Sequence, residues 1–263
     1  MTRITTERVD SIATLWLDRV DKRNAMDGEM MTELAAAVTA VGNDKTVRVI
    51  VLRGKGAYFS SGIDHSLLAS VVGAMQTTSF MQLHYELQDA FHRLARVQQP
   101  VIAALHGVCI GMALEMVLAA DIRVASEECV LGLPEVAFGL VPDVGGTTRL
   151  VRTVGEARAR EMILSGRMVK ARTAERYGLV HEVVGNPDAL ATRVAERAAQ
   201  LASLPPAALG AAKMLCHAAA DAGAGTSFRL EGIVQEGLIG QKDLSANFPN
   251  ALAFIKAAVA SAE

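Results

Sequence analysis

Apolar and polar positions change their period several times along the 263-residue chain, and each change marks an element. Residues 2–8 and 11–17, with Ile12, Leu15 and Leu17 among the apolar positions, read as two strands around a Val9-Asp10 turn. Asp27 is placed to cap a helix running to about Gly42, with Met31, Leu34, Val38 and Val41 on one face. Val47 to Leu52 reads as a buried strand, followed by the two-glycine loop Arg53 to Gly56. Tyr58 to Asp64 makes a glycine turn after a short extended piece. Residues 66–78 are small and polar with little period, and read as mobile or weakly helical. Ser79 can cap a long helix to about Val97, with Phe80, Leu83, Leu87, Phe91 and Leu94 at helical spacing.

The centre of the chain follows the same logic. Val101 to Leu105 is a continuous apolar run bounded by Pro100 and Gly107, hence a buried strand. A turn through Gly107 and Gly111 leads into a helix from about Met112, apolar almost all round except at Glu115. Another strand is expected around Ile122 to Ala125, then a loop-rich stretch from Leu133 to Gly146. Beyond Gly155 the pattern is helical through 156–165, 171–177, 187–202, 206–221, 227–240 and 249–261, with one more strand signal at Val180–Val184. Strand–helix units first and helices last indicate an α/β core with a helical C-terminal part.

Composition narrows the class. Hydrophobic residues make up 51% of the chain, enough for a sizeable core, and 26 basic against 28 acidic residues leave a net charge of −2. There is no footprint of nucleic-acid binding in that balance. No apolar run reaches the ~20 residues of a membrane helix. Cys109, Cys129 and Cys216 have no metal-ligand spacing, and an odd count without a signal peptide fits a reducing cytoplasm. The expectation is therefore a cytoplasmic protein with no metal, no membrane and no nucleic-acid partner.

Three features carry candidate chemistry. The glycine turns at Gly62 and Gly111 can each aim a backbone N–H at a ligand oxygen, and two such donors would make an oxyanion hole. Glu115 is an ionisable group in an apolar helix; it either hydrogen-bonds free N–H groups at a helix start or serves as a catalytic acid or base. Glu135 and Asp143 sit in an apolar loop with no evident structural task, although Asp143 beside Pro142 also suits a turn. His106 reads as structural, and His84 and His92 fall on the long helix. No nucleophile elbow, dinucleotide fingerprint or phosphate loop is present.

Four motifs, in this order, then give a resemblance: Lys22-Arg23-Asn24-Ala25-Met26, Phe59 to Asp64, His106-Gly107 to Asp121-Ile122, and Pro134-Glu135 to Gly145-Gly146-Thr147. The chain resembles the crotonase, or enoyl-CoA hydratase/isomerase, superfamily over nearly its whole length. The resemblance implies a spiral of β-β-α turns over residues 1–200 as catalytic core, and a helical trimerisation region over 201–263, with a homotrimer or homohexamer as the assembly. It also implies an acyl-CoA thioester as substrate, with coenzyme A part of that substrate and no separate cofactor. Ile63 and Met112 would supply the oxyanion-hole amides, and Glu115 and Glu135 the paired catalytic acids. Lys22, Arg23, Ala25, Ser61, Gly62, Asp64, His65 and Gly111 fall where relatives hold the substrate and its nucleotide end. Two departures stand out: Met112 where many hydratases have glycine, and Asp143 where they have a small residue. An acid at Asp143 is similar to dienoyl-CoA isomerases, so the expected reactions are hydration of a 2-enoyl-CoA, dienoyl-CoA isomerisation using Asp143, or acyl-CoA binding without turnover. Members hydrolysing 3-hydroxyisobutyryl-CoA share the Pro-Asp-Val-Gly-Gly pattern but lack a glutamate at the position of Glu115.

Overall fold

The computed structural model describes residues 2–74, 80–240 and 244–260. The chain forms two units, Met1–Ala202 and Ser203–Glu263.

The first unit is built on two sheets. Strands β1 (Ile4–Val9), β2 (Ile12–Leu17), β3 (Val49–Gly54), β4 (Val101–Leu105), β6 (Ile122–Ser126) and β9 (Glu182–Val184) form the larger one in that spatial order. Only β1 and β2 pair antiparallel; every later pairing in it is parallel. The smaller sheet joins β5 (Val108–Ile110), β7 (Val130–Gly132) and β8 (Val169–Lys170). A single bridge, Ser60 to Cys109, extends it by one extended residue after β3.

This arrangement repeats. β3 leads through Ser60 to helices α2 (His65–Ala74) and α3 (Phe80–Arg96); β4 leads through β5 to α4 (Met112–Val117); β6 leads through β7 to α5 (Gly146–Val154). Each turn of the chain gives one strand to the large sheet, a short one to the small sheet, and then a helix.

Parallel strands covered on both faces must be apolar at every position, which is why β3 and β4 show no alternation in sequence. Ile50, Leu52, Val101, Ala103 and Leu105 point into the main core, with Leu34 and Val38 of α1 (Gly28–Asn43) and Phe91 and Leu94 of α3. Their neighbours Val49, Val51, Ile102 and Ala104 face the other way, against Leu190, Val194 and Ala198 of α8 (Pro187–Ala202). Asp27 caps α1 as its position indicated, its carboxylate accepting the Met30 N–H at 3.0 Å.

Several boundaries differ from the sequence reading. The segment after His65 is a regular helix, α2, through Ala74; residues 75–78 and the proposed cap Ser79 lie outside the described residues. Between the glycines of the 107–111 turn lies a strand, β5, too short for periodicity to reveal and held by its parallel pairing to β7. The stretch from Leu133 to Gly146 holds a 3-10 turn, Glu135–Phe138, and Gly146 opens α5. Helices α6 (Glu156–Ser165) and α7 (Ala171–Arg176) complete the unit.

The second unit comprises α9 (Pro206–Asp221), α10 (Ala224–Ile239) and α11 (Leu244–Ala260), with α9 packed on α10. Phe228, Ile233, Ile239, Leu252 and Val259 are exposed on it. Among the described residues no helix is long and apolar enough to cross a membrane.

Candidate active site

The site starts with the loop before α1. Arg23 and Asn24 both adopt a left-handed backbone, φ 55° and 53°, which asparagine tolerates better than most residues. Asn24 is fully buried, and its carboxamide N–H groups donate to the carbonyls of Lys55, Tyr58 and Phe59. Ser60 Oγ donates to the Asn24 carbonyl at 2.7 Å and accepts the Gly62 N–H at 3.1 Å. The sequence reading holds Asn24 only as part of the Lys22 to Ala25 segment and Ser60 only within the Phe59 to Asp64 motif, and gives neither this structural task. Together they fix the approach to Gly62, whose φ of 89° suits glycine alone.

Ile63 follows, flanked by two bonds to Met26: Met26 N–H to the Gly62 carbonyl and Asp64 N–H to the Met26 carbonyl, both 2.8 Å. In a parallel bridge of this kind the middle residue's own amide points the other way. Met112 is the first residue of α4, so its N–H has no intrahelical acceptor. The two turns touch. A Cβ built on Gly62 would lie 2.7 Å from the Ile110 carbonyl oxygen and 3.4 Å from Met112 N. The expected pair of oxyanion donors, Ile63 and Met112, therefore comes from adjacent backbone at the positive end of a helix. The Met112 side chain is buried within the main apolar core.

Acids line the adjoining wall. Glu115 is buried on α4, and its Oε2 accepts the N–H groups of Val144 at 3.0 Å and Gly146 at 2.7 Å. The carboxylate thus does bind a helix start, but that of α5 rather than its own. Gly146 is required there: a Cβ would come within 2.5 Å of Glu115 Cγ and Oε2. Burial, helped by the charges of Glu135 and Asp143 and opposed by those two hydrogen bonds, raises the Glu115 pKa to about 8. Glu135, first residue of the 3-10 turn, has its pKa raised by burial and by Asp143, and its Oε2 is buried without a hydrogen-bond partner. Its Oε1 sits over Gly111, 3.1 Å from where a Cβ would be. Asp143 is half-exposed, with Oδ2 3.3 Å from His84 Nδ1. The charges of Glu135 and Asp143 thus act on Glu115, and that of Asp143 on Glu135.

The remaining candidates lie on the segments before α1 and at the start of α2. Lys22, the last residue of the 3-10 turn Val20–Lys22, and Arg23 after it are exposed, Ala25 is buried, and Ser61 N–H donates to the Arg23 carbonyl. His65 is exposed at the start of α2. Asp64 is already engaged: it accepts the Ser66 N–H at 2.7 Å and pairs with Arg19 at 2.5 Å. Hydrogen bonding from Ser66, reinforced by Arg19, holds its pKa well below the usual carboxylate range. Arg19, absent from the expected set, also pairs with Asp27 and so ties the α1 cap to the α2 start.

Two adjacent backbone turns beside a group of carboxylates are the geometry with which the chain can be compared with known proteins. A family profile described as enoyl-CoA hydratase/isomerase matches residues 7–249. The chain belongs to the enoyl-CoA hydratase/isomerase family, the crotonase superfamily. It is similar to a 2,3-dehydroadipyl-CoA hydratase of Escherichia coli, 34% identical over 81% of each chain. A mitochondrial Δ(3,5)-Δ(2,4)-dienoyl-CoA isomerase of Dictyostelium discoideum is 30% identical, over 82% of this chain and 76% of the relative. Among solved structures, a Thermobifida fusca protein in complex with CoA matches 90% of this chain and 93% of its own with a TM-score of 0.82 and 33% identity. The crotonase-like spiral expected from the motifs is the fold of this family member.

Proposed function

We propose that this protein hydrates the 2,3 double bond of an enoyl-CoA thioester. The observation that carries the reading is the pair of buried Glu115 and partly buried Glu135, both with raised proton affinity, beside the Ile63 and Met112 amides. Those amides hold the thioester oxygen as negative charge develops on it, which makes C3 electrophilic. At neutral pH the acid set retains a proton that an isolated pair would release. One carboxylate takes a proton from water as it adds to C3, and the other acid delivers one to C2. The orphaned Glu135 Oε2 suits a water or substrate atom. Purified protein is expected to convert crotonyl-CoA or a longer 2-enoyl-CoA to the 3-hydroxyacyl product. Glu135→Gln is expected to slow this by about 10²–10⁴-fold. A variant as fast as the parent would refute the two-acid mechanism, and no hydration at any chain length would refute the reading.

Asp143 favours a second reaction, isomerisation of a 3,5-dienoyl-CoA, because its charge acts on both glutamates. Asp143→Asn is then expected to abolish formation of the conjugated 2,4 product while leaving hydration within about tenfold, by the scale of one acid–base contribution. Equal isomerisation by parent and variant reduces Asp143 to a turn residue. Apolar exposure on α10 and α11 supports assembly into a trimer.

A further inference from the structure

The segment from Pro142 to Gly146 is gripped from two sides. On one side Val144 and Gly146 donate to Glu115. On the other stands α3: Gln88 Nε2 donates to the Asp143 carbonyl at 2.9 Å, and His84 Nδ1 lies 3.3 Å from Asp143 Oδ2. His84 and Gln88 are four residues apart, hence one above the other on the same helix face. Asp143 directly precedes Val144, one of Glu115's two donors, so a displacement of Asp143 is carried directly to the acid.

We propose that His84 and Gln88 are positioning residues that hold the 142–146 segment against Glu115 through Asp143, making α3 part of the machinery that sets the proton distribution in the site. The proposal rests on the acid–base reading of Glu115 but reaches residues which that reading leaves unused. The charged groups facing this set are known from each element packed on it. They are His84 from α3, Glu115 from α4, Glu135 from the 3-10 turn and Arg149 from α5, whose Nη1 also donates to the Val144 carbonyl. Freeing Asp143 from α3 loosens the Val144 and Gly146 N–H groups, which then hold the Glu115 carboxylate form less well and raise its proton affinity.

The test uses the whole chain with His84→Ala, Gln88→Leu and His84→Asn, the last keeping a polar nitrogen near the Nδ1 position. Two readouts are taken: the pH profile of kcat on an enoyl-CoA, and carboxyl-carbon NMR titration of Glu115 without substrate. The expected result is an upward displacement of the Glu115 titration and of the kcat profile by about half a unit to one unit for Ala and Leu. KM should stay within about twofold, the ordinary margin for a residue that leaves ground-state binding alone. His84→Asn should restore the parent profile. In an Asp143→Ala background, His84→Ala should add no further displacement, since the two act through one contact. Unmoved titrations in both single variants overturn the proposal, as does an equal displacement with Asp143 absent. If the parent turns over no enoyl-CoA while the NMR titration still moves, the functional reading falls and the positioning role stands. If turnover is robust and neither readout moves, the positioning role falls alone.

Discussion

Glu115→Gln is expected to cost about 10²–10⁴-fold in hydration rate while making the protein more stable at alkaline pH. The two effects share one cause. The Glu115 pKa is about 8 in the folded protein against an ordinary 4.5, chiefly through burial. Below pH 4.5 the acid is neutral folded and unfolded, and contributes nothing to the difference. Between 4.5 and 8 the unfolded chain has released its proton and the folded one has not, so stability falls as pH rises. Above about 8 both are ionised and the full penalty is present, at most about 5 kcal/mol by the conversion of 1.36 kcal/mol per unit. Glutamine removes that titration and can still accept the Val144 and Gly146 N–H groups through its carbonyl oxygen. Urea unfolding at pH 5, 6.5 and 8 should show the stability gain of the variant growing across the series. A gain independent of pH would mean that Glu115 is not held protonated.

The second large effect is expected at Gly62. Gly62→Ala requires a Cβ at 2.7 Å from the Ile110 carbonyl oxygen, on a residue whose φ of 89° already excludes most side chains. Backbone cannot yield as a side-chain tip would, so the Ile63 and Met112 amides must move apart. Loss of one oxyanion donor costs about 10²–10³-fold in kcat. The change should appear in kcat more than in KM, since the donors act on charge that develops in the transition state. Circular dichroism and a urea midpoint on the same sample separate this from unfolding. A well-folded variant with undiminished kcat would place the oxyanion donors elsewhere.

The long amphipathic and continuously apolar segments were legible because their period and length suffice to name the element. Helices α8 and α9 begin and end at the residues the pattern indicated, and β4 does too. Elements of two or three residues were not legible, except β9, signalled at Val180–Val184. β5, β7 and β8 exist because a neighbour supplies their hydrogen bonds, and three residues carry no period. Glu115 stood out by itself as a carboxylate in an apolar helix. The Asn24–Ser60 clamp behind Gly62 did not, since its meaning lies in carbonyls more than thirty residues away.

The sequence by itself therefore determined the class of fold, the family, and which residues could do chemistry, because glycine turns and misplaced acids are local facts. Tertiary structure alone decided what those residues are to one another. It brought Gly62 against Met112, set Glu115 on the N–H groups that open α5, left Glu135 with an unpaired oxygen, and put α3 behind Asp143. Proton affinity is a property of those surroundings: burial and neighbouring charge fix it, and neither is written in a residue's near sequence.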